Sequence, residues 1–190
     1  MYKVSSILLN HLYFSRFWQK KLFARYGSPV DRYYWLDNYI NLLVPVANAF
    51  YGADTNGMSF CAGFLSELMF NGNFPAYSNY GGIGMVIGHE ISHAFDDQGS
   101  QSDAQGNLRN WWTSATREKF HEKTKCVVDQ YSSFRDNQTG LNLKGFVTQG
   151  ENIADIVGRK IAYKAYGNAY QSFQDVALTF SFQNTGCKTI

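Results

Sequence analysis

Apolar side chains recur at helical spacing near the start of the chain, where Leu8, Leu12, Leu22 and Tyr26 stand among further aromatics over residues 5–26, until Gly27-Ser28-Pro29 breaks the pattern. That predicts a first helix. Residues 41–51 and 58–65 lean towards β structure, and the polar link Gly52-Ala53-Asp54-Thr55-Asn56-Gly57 between them predicts a β-hairpin. Pro45 cannot donate to a strand ladder, which suits the first run to an edge. Three further helices are predicted. Residues 82–96 form an apolar segment whose surroundings hold Gly81, Gly82, Gly84 and Gly88; these lower helix propensity, so close packing must compensate. Residues 113–135 carry Phe120, Val127, Tyr131 and Phe134 along one stripe, and residues 149–166 make the last helix. The plan is mainly α with a small β-hairpin or edge sheet, without repeats.

Composition narrows the class. The 190 residues, 45% hydrophobic and 17% aromatic, suffice for one substantial core, which predicts a single domain over 1–190. A net charge of +2, with no basic cluster interleaved with aromatics, leaves no footprint for a nucleic-acid partner. No apolar run approaches the roughly 20 residues that span a bilayer, and the stretch from Met1 to His11 has too short an apolar core for a signal peptide. Neither signal nor anchor is therefore expected within this chain. Cys61, Cys126 and Cys187 form no CxxC pair, and each reads on its own as a buried free thiol. One N-glycosylation sequon, Asn137-Gln138-Thr139, lies in a polar, turn-like stretch.

The candidate chemistry is concentrated in Gly88-His89-Glu90-Ile91-Ser92-His93. On a helix of 3.6 residues per turn, His89 and His93 stack on one face, so two imidazoles can bind one metal with Glu90 beside them. A metal lowers the pKa of water towards neutrality, and a neighbouring carboxylate can take the proton and hand it to a leaving amine. Such a site needs a third ligand. Glu151, at the start of the last helix, is the candidate, and Asp155 four residues later shares its face, free to accept the second N–H of a ligand histidine. Thr148-Gln149-Gly150-Glu151 is also a capping-box pattern, in which Glu151 would serve only a backbone amide. His11 and His121 have no partner at metal spacing and read as surface or packing residues. Asp96, Asp97 and Asp103 lack the spacing of an EF-hand and read as solvated turn carboxylates.

Several uncommon blocks in one order carry a resemblance. They are Ser28-Pro29-Val30-Asp31-Arg32 with Trp35, Ala47-Asn48-Ala49-Phe50-Tyr51, Asn79 to Gly84, Ile87 to Asp97, Gly106-Asn107-Leu108 with Trp111-Trp112, and Gly150 to Asp155. Over roughly residues 10–166 the chain resembles the neprilysin and endothelin-converting-enzyme family of zinc metallopeptidases. The resemblance implies a thermolysin-like (gluzincin) catalytic domain with one zinc per chain, held by His89, His93 and Glu151. It implies Glu90 as general base, Asp155 in ligand orientation or proton donation, and Asn48 and Ala49 as the segment that binds peptide substrate as an added strand. Asp96, one turn beyond His93, is placed to orient a ligand histidine. Short peptides are the implied substrates, an extracellular or cell-surface setting the implied location, and Cys126 a half-cystine with its partner upstream of residue 1. Oligomeric state is not implied.

The match loosens beyond Tyr166, and Leu178 to Cys187 only echoes the family. The family next supplies a histidine that stabilises the transition state and an arginine that engages substrate, which this chain does not reach. The domain is therefore expected to be incomplete at its C-terminus, and the alternative to an efficient peptidase is a weak or inactive truncated fragment that binds zinc or peptide. Ile156-Val157 also departs from the small or polar residues usual there, and Cys61 from a proline.

Overall fold

The computed structural model describes residues 6–29, 31, 46–66 and 69–170. The chain divides into two compact units, Met1–Tyr34 and Trp35–Ile190. The expectation of a single domain over 1–190 stands apart from this division, and each unit is described by itself.

In the first unit, α1 spans Ile7–Phe23. Ser6 begins it: its Oγ accepts from the Leu9 N–H at 3.3 Å and so satisfies one donor of the first turn. Lys20 and Lys21 lie in the last turn, where the helix dipole favours cations, and Lys21 also sits over the rings of Phe17 and Trp18. The helix forms where its periodicity predicts, yet none of its residues is buried.

The first strands described in the second unit are β1 (Ala49–Gly52) and β2 (Gly57–Phe60), antiparallel with Ala49 opposite Phe60 and Gly52 opposite Gly57. The turn between them holds Asn56 at φ 47°, a conformation that Asn tolerates through local hydrogen bonding. Thr55 folds both its N–H and its hydroxyl onto the Gly52 carbonyl. The hairpin is shorter than its sequence suggests, because Phe64 and Leu65 donate to Cys61 and Ala62 and turn the chain away after β2. Residues 41–45, with the edge assignment of Pro45, lie outside the described residues.

A helical run follows: α2 (Ala76–Asn79), a π-helical turn over Tyr80–Gly84, and α3 (Met85–His93). The predicted helix over 82–96 therefore starts earlier and ends sooner. The π turn has a local cause, since the Ile83 N–H leaves the helix ladder to bond the Met69 carbonyl at 3.1 Å. Asp96 sets the end, its Oδ1 accepting from the N–H groups of Gln98 (2.8 Å) and Gly99 (2.7 Å) and bending the chain into a 3-10 turn over Gly99–Gln101.

Helix α4 (Ser114–Ser133) starts at Thr113, whose hydroxyl accepts from the Thr116 N–H, and α5 spans Gln149–Ala169. The core between them is Val127 of α4 with Ile153 and Ile156 of α5, flanked by Cys126, Tyr131 and Val157. The large residues at 156 and 157 that depart from the family pattern thus fill space against α4. Of the predicted α4 stripe, Val127 is fully buried while Phe134 stays half exposed. Trp112 packs on Phe120 and lies under the Arg117 guanidinium, on the flank of α4. No helix among the described residues is long and apolar enough to cross a membrane.

Helices α3 and α5 meet through two glycines. A Cβ at Gly158 would lie 2.5 Å from the His89 nitrogen and 2.9 Å from the Met85 oxygen, and one at Gly88 would lie 2.7 Å from the Gly158 oxygen. All are backbone atoms, which cannot move aside as a flexible side chain can. Gly158→Ala should therefore push the helices apart and cost about 1–3 kcal/mol, as overpacking does. Urea unfolding checks this, and an unchanged midpoint would show that the crossing has slack.

Candidate metal centre

Close approach of α3 and α5 brings five chemically active side chains to one place. The helical repeat of α3 sets the His89 and His93 rings face to edge, with centroids 4.5 Å apart and Nε2 atoms 2.9 Å apart. Each ring is held from behind by a carboxylate: Asp155 Oδ1 of α5 lies 2.9 Å from His89 Nδ1, and Asp96 Oδ2 lies 2.7 Å from His93 Nδ1. Ionised carboxylates only accept, so both Nδ1 atoms are assigned the proton and both Nε2 atoms present a lone pair. Glu151 Oε2 faces the same point, 3.3 Å from His89 Nε2 and 3.6 Å from His93 Nε2.

Three acceptors turned towards one another need positive charge between them. A proton or a metal ion can supply it. The ligand atoms of His89, His93 and Glu151 lie within 4.8 Å of one another, and two imidazoles with one carboxylate are a donor set suited to zinc, which leaves a fourth position open. The capping-box alternative for Glu151 is not realised: the Thr148 hydroxyl accepts from Asn152 Nδ2 and makes no bond to the backbone of α5.

Burial tunes the neighbours. Glu90 is 5% exposed, and this burial raises its carboxyl above the ordinary range, with the Glu151 charge adding and the two histidines opposing. The hydrogen bond to Asp96 raises His93. For Asp96, burial pushes upward, but the hydrogen bonds from His93, Gly99 and Gln98 outweigh it and hold the carboxyl below its usual value. Tyr51 is raised by burial and by the nearby charges of Asp96 and Asp54.

Asp96 and Asp103 are buried, at 4% and 9% exposure, which corrects the reading of both as solvated. Asp103 accepts from the N–H groups of Gln105 and Asn107 and folds its own turn. Asp96 ties three donors together, so Asp96→Asn should cost about 1–3 kcal/mol in the metal-free protein. Because the folded pKa of Asp96 is lowered, its contribution is present above the unfolded carboxylate pKa and is lost as pH falls through the folded value. The gap between wild type and variant should accordingly narrow in acid. Denaturation midpoints at neutral and acidic pH measure it, and a gap independent of pH would remove Asp96 from this role.

A cleft of about 690 Å³ opens over the cluster, lined by Asn48, Ala49 and Tyr51 on the β1 side and by His89, Glu90, His93 and Glu151 on the helical side. Asn48 is exposed and its Oδ1 accepts from the Ala49 N–H at 3.0 Å, which leaves its amide N–H groups for a ligand. The sequence reading missed Tyr51, whose position in the Asn48 block was its signal, and Asp97 and Gly150, which also line the cleft. His11 lies in the other unit, and His121 stands exposed beside Phe120 on α4. Cys61 is a free, buried thiol. Cys126 is disulfide-bonded, the half-cystine that the resemblance implies, but within this chain and not to a partner upstream of residue 1.

Residues 48–186 match the model of peptidase family M13, and the chain belongs to that family. Among its relatives, neprilysin-1 of Caenorhabditis elegans is 46% identical over 144 residues, covering 76% of this chain and 18% of that protein. Human endothelin-converting enzyme 1 is 47% identical over 124 residues, covering 65% of this chain and 16% of that protein. The structure of Mycobacterium tuberculosis zinc metalloprotease Zmp1 in complex with an inhibitor matches with a TM-score of 0.69 and 38% identity, over 78% of this chain and 22% of that one. The chain thus spans about a fifth of the length of these relatives, and the mainly helical fold with its small two-stranded sheet is that of M13 peptidases.

Proposed function

We propose that this chain carries the metal centre of a zinc metalloendopeptidase acting on short peptides, with one zinc held by His89, His93 and Glu151. The observation that carries the reading is the convergence of three acceptor atoms from α3 and α5 beneath a cleft edged by β1. Zinc, when bound, supplies Lewis-acid polarisation and makes water acidic near neutrality. The residues of the chain do the rest. Asp155 and Asp96 hold the two imidazoles with Nε2 forward, which fixes tautomer and orientation before substrate arrives. Glu90 takes a proton from the attacking water and returns it to the leaving amine, a task eased by burial, which makes its carboxylate more basic.

Peptide enters extended along β1. Among the described residues β1 pairs only with β2, so an added strand can run along its other side, with the Asn48 amide grasping a main-chain carbonyl. An extracellular or cell-surface setting accords with the disulfide at Cys126, since such bonds persist in oxidising compartments. Cleavage of a quenched fluorescent peptide, abolished by a chelator and restored by zinc, tests the activity; cleavage indifferent to chelation would refute it. Asn48→Ala should weaken peptide-like inhibitors by about tenfold, the worth of one hydrogen bond, with metal content unchanged. Equal affinities would take Asn48 out of the substrate site.

A further inference from the structure

The strand that edges the cleft is held at both ends. At its start Ala49 is buried and β1 packs on α3. At its far end the hairpin tip rests on a second turn, Asp103 to Asn107, in the chain that leaves α3. Asn56 makes that junction. Its Oδ1 accepts from the Tyr51 hydroxyl at 2.9 Å and its Nδ2 donates to the Ala104 carbonyl at 3.2 Å, so one amide joins β1 to the turn. A carbonyl can only accept, which fixes Nδ2 on the Ala104 side. Tyr51 lines the cleft, whereas Asn56 lies outside it.

The turn beneath is closed by its own hydrogen bonds. Buried Asp103 accepts from the N–H groups of Gln105 and Asn107, its N–H donates to the Asn107 carbonyl at 2.9 Å, and its carbonyl accepts from the Gly106 N–H at 2.8 Å. A bridge between Ser102 and Leu108 completes the loop. Gly106 takes φ +76°, and a Cβ there would overlap the Asp54 carbonyl, so the two turns meet backbone to backbone. Nearer α3 in the same segment, Asp96 holds the His93 ring and takes the amides of Gln98 and Gly99. One loop therefore fixes both a candidate ligand histidine and, across Asn56, the strand that faces it.

We propose that Asn56 is a positioning residue for extended peptides: by tying Tyr51 to the Asp103 turn it sets the distance between the Asn48–Tyr51 strand and the metal centre. The proposal rests on the peptidase reading and deepens it. A peptide added to β1 must reach the metal as well, so its affinity depends on that spacing, which supporting hydrogen bonds hold in advance. A ligand confined to the metal has no such dependence. Loss of the Asn56 amide should therefore separate the two kinds of ligand.

Asn56→Gly is the test variant, because glycine accepts φ 47° without strain while both side-chain bonds are lost. The zinc-loaded full chain is titrated with acetohydroxamate, which binds metal alone, and with a dipeptidyl hydroxamate, which also lies along the strand. Asn56→Gly should weaken the dipeptidyl compound about fivefold and leave zinc content and acetohydroxamate affinity as in wild type. Tyr51→Phe should also weaken it, and the double variant should bind no worse than Asn56→Gly, since both changes break one bond. In the metal-free protein, amide exchange over residues 49–57 should quicken in Asn56→Gly while that of α3 stays the same. Equal dipeptidyl affinities in wild type and Asn56→Gly, equal weakening of both probes, additive losses in the double variant, or unchanged exchange would each overturn the proposal. Failure of wild type to bind either probe would instead overturn the peptidase reading, and the proposal with it.

Discussion

Glu90→Gln should leave the zinc in place and lower peptide turnover by about 10² to 10⁴-fold, the range general-base removal commonly costs. Glu90 is buried in the floor of the cleft, yet the three acceptor atoms that converge on the metal position belong to His89, His93 and Glu151. The amide keeps the shape of the side chain and cannot take a proton. Burial already disfavours the charged carboxylate here, so the neutral replacement should also fold normally. Steady-state hydrolysis normalised to bound zinc is the measurement. Loss of zinc in the variant would move Glu90 into the ligand set, and unchanged turnover would remove it from the chemistry.

Glu151→Ala should empty the site. Its carboxylate is the only donor α5 gives to the cluster, and without it two imidazoles from a single helix remain. Asp155→Asn is the informative comparison, because Asp155 touches His89 Nδ1 from behind and should modulate affinity by about 10 to 100-fold, as outer partners of a ligand do. The loss in Glu151→Ala should exceed that. Zinc titration against a chromophoric chelator ranks the two, and an Asp155→Asn loss equal to the Glu151→Ala loss would show that orientation of His89 matters as much as the third ligand.

The parts of the site legible in the sequence are those set by helical repeat. His89 and His93 four apart, and Glu151 and Asp155 four apart, share a face wherever they fold, and both pairs do meet. Asp96 beside His93 is a local pair and was legible, but that Asp155 serves His89 was not, because it depends on how α3 crosses α5. That crossing rests on Gly88 against Gly158, a contact between residues far apart in the chain, and a lone glycine in a helical pattern gives no sign of its partner. Helix ends were misread for similar reasons. The π turn arises because Ile83 answers a carbonyl at Met69, and α3 stops early because Asp96 prefers the amides of Gln98 and Gly99. The hairpin was read correctly at Gly52 and Gly57, where turn chemistry is local, and too long at its far end, where tertiary bonds decide. Asp96 and Asp103 looked like surface residues because two aspartates in a polar stretch are usually solvated. Their burial is made possible by N–H donors that folding supplies.

The claim that matters most is that α3 and α5 together hold one metal ion, and metal analysis after exhaustive dialysis tests it directly. The predicted result is one zinc per chain in wild type, with ligand distances near 2.0–2.2 Å by X-ray absorption as nitrogen and oxygen donors give, and none in the His89→Ala, His93→Ala double variant. A metal content unchanged in that double variant would contradict the account.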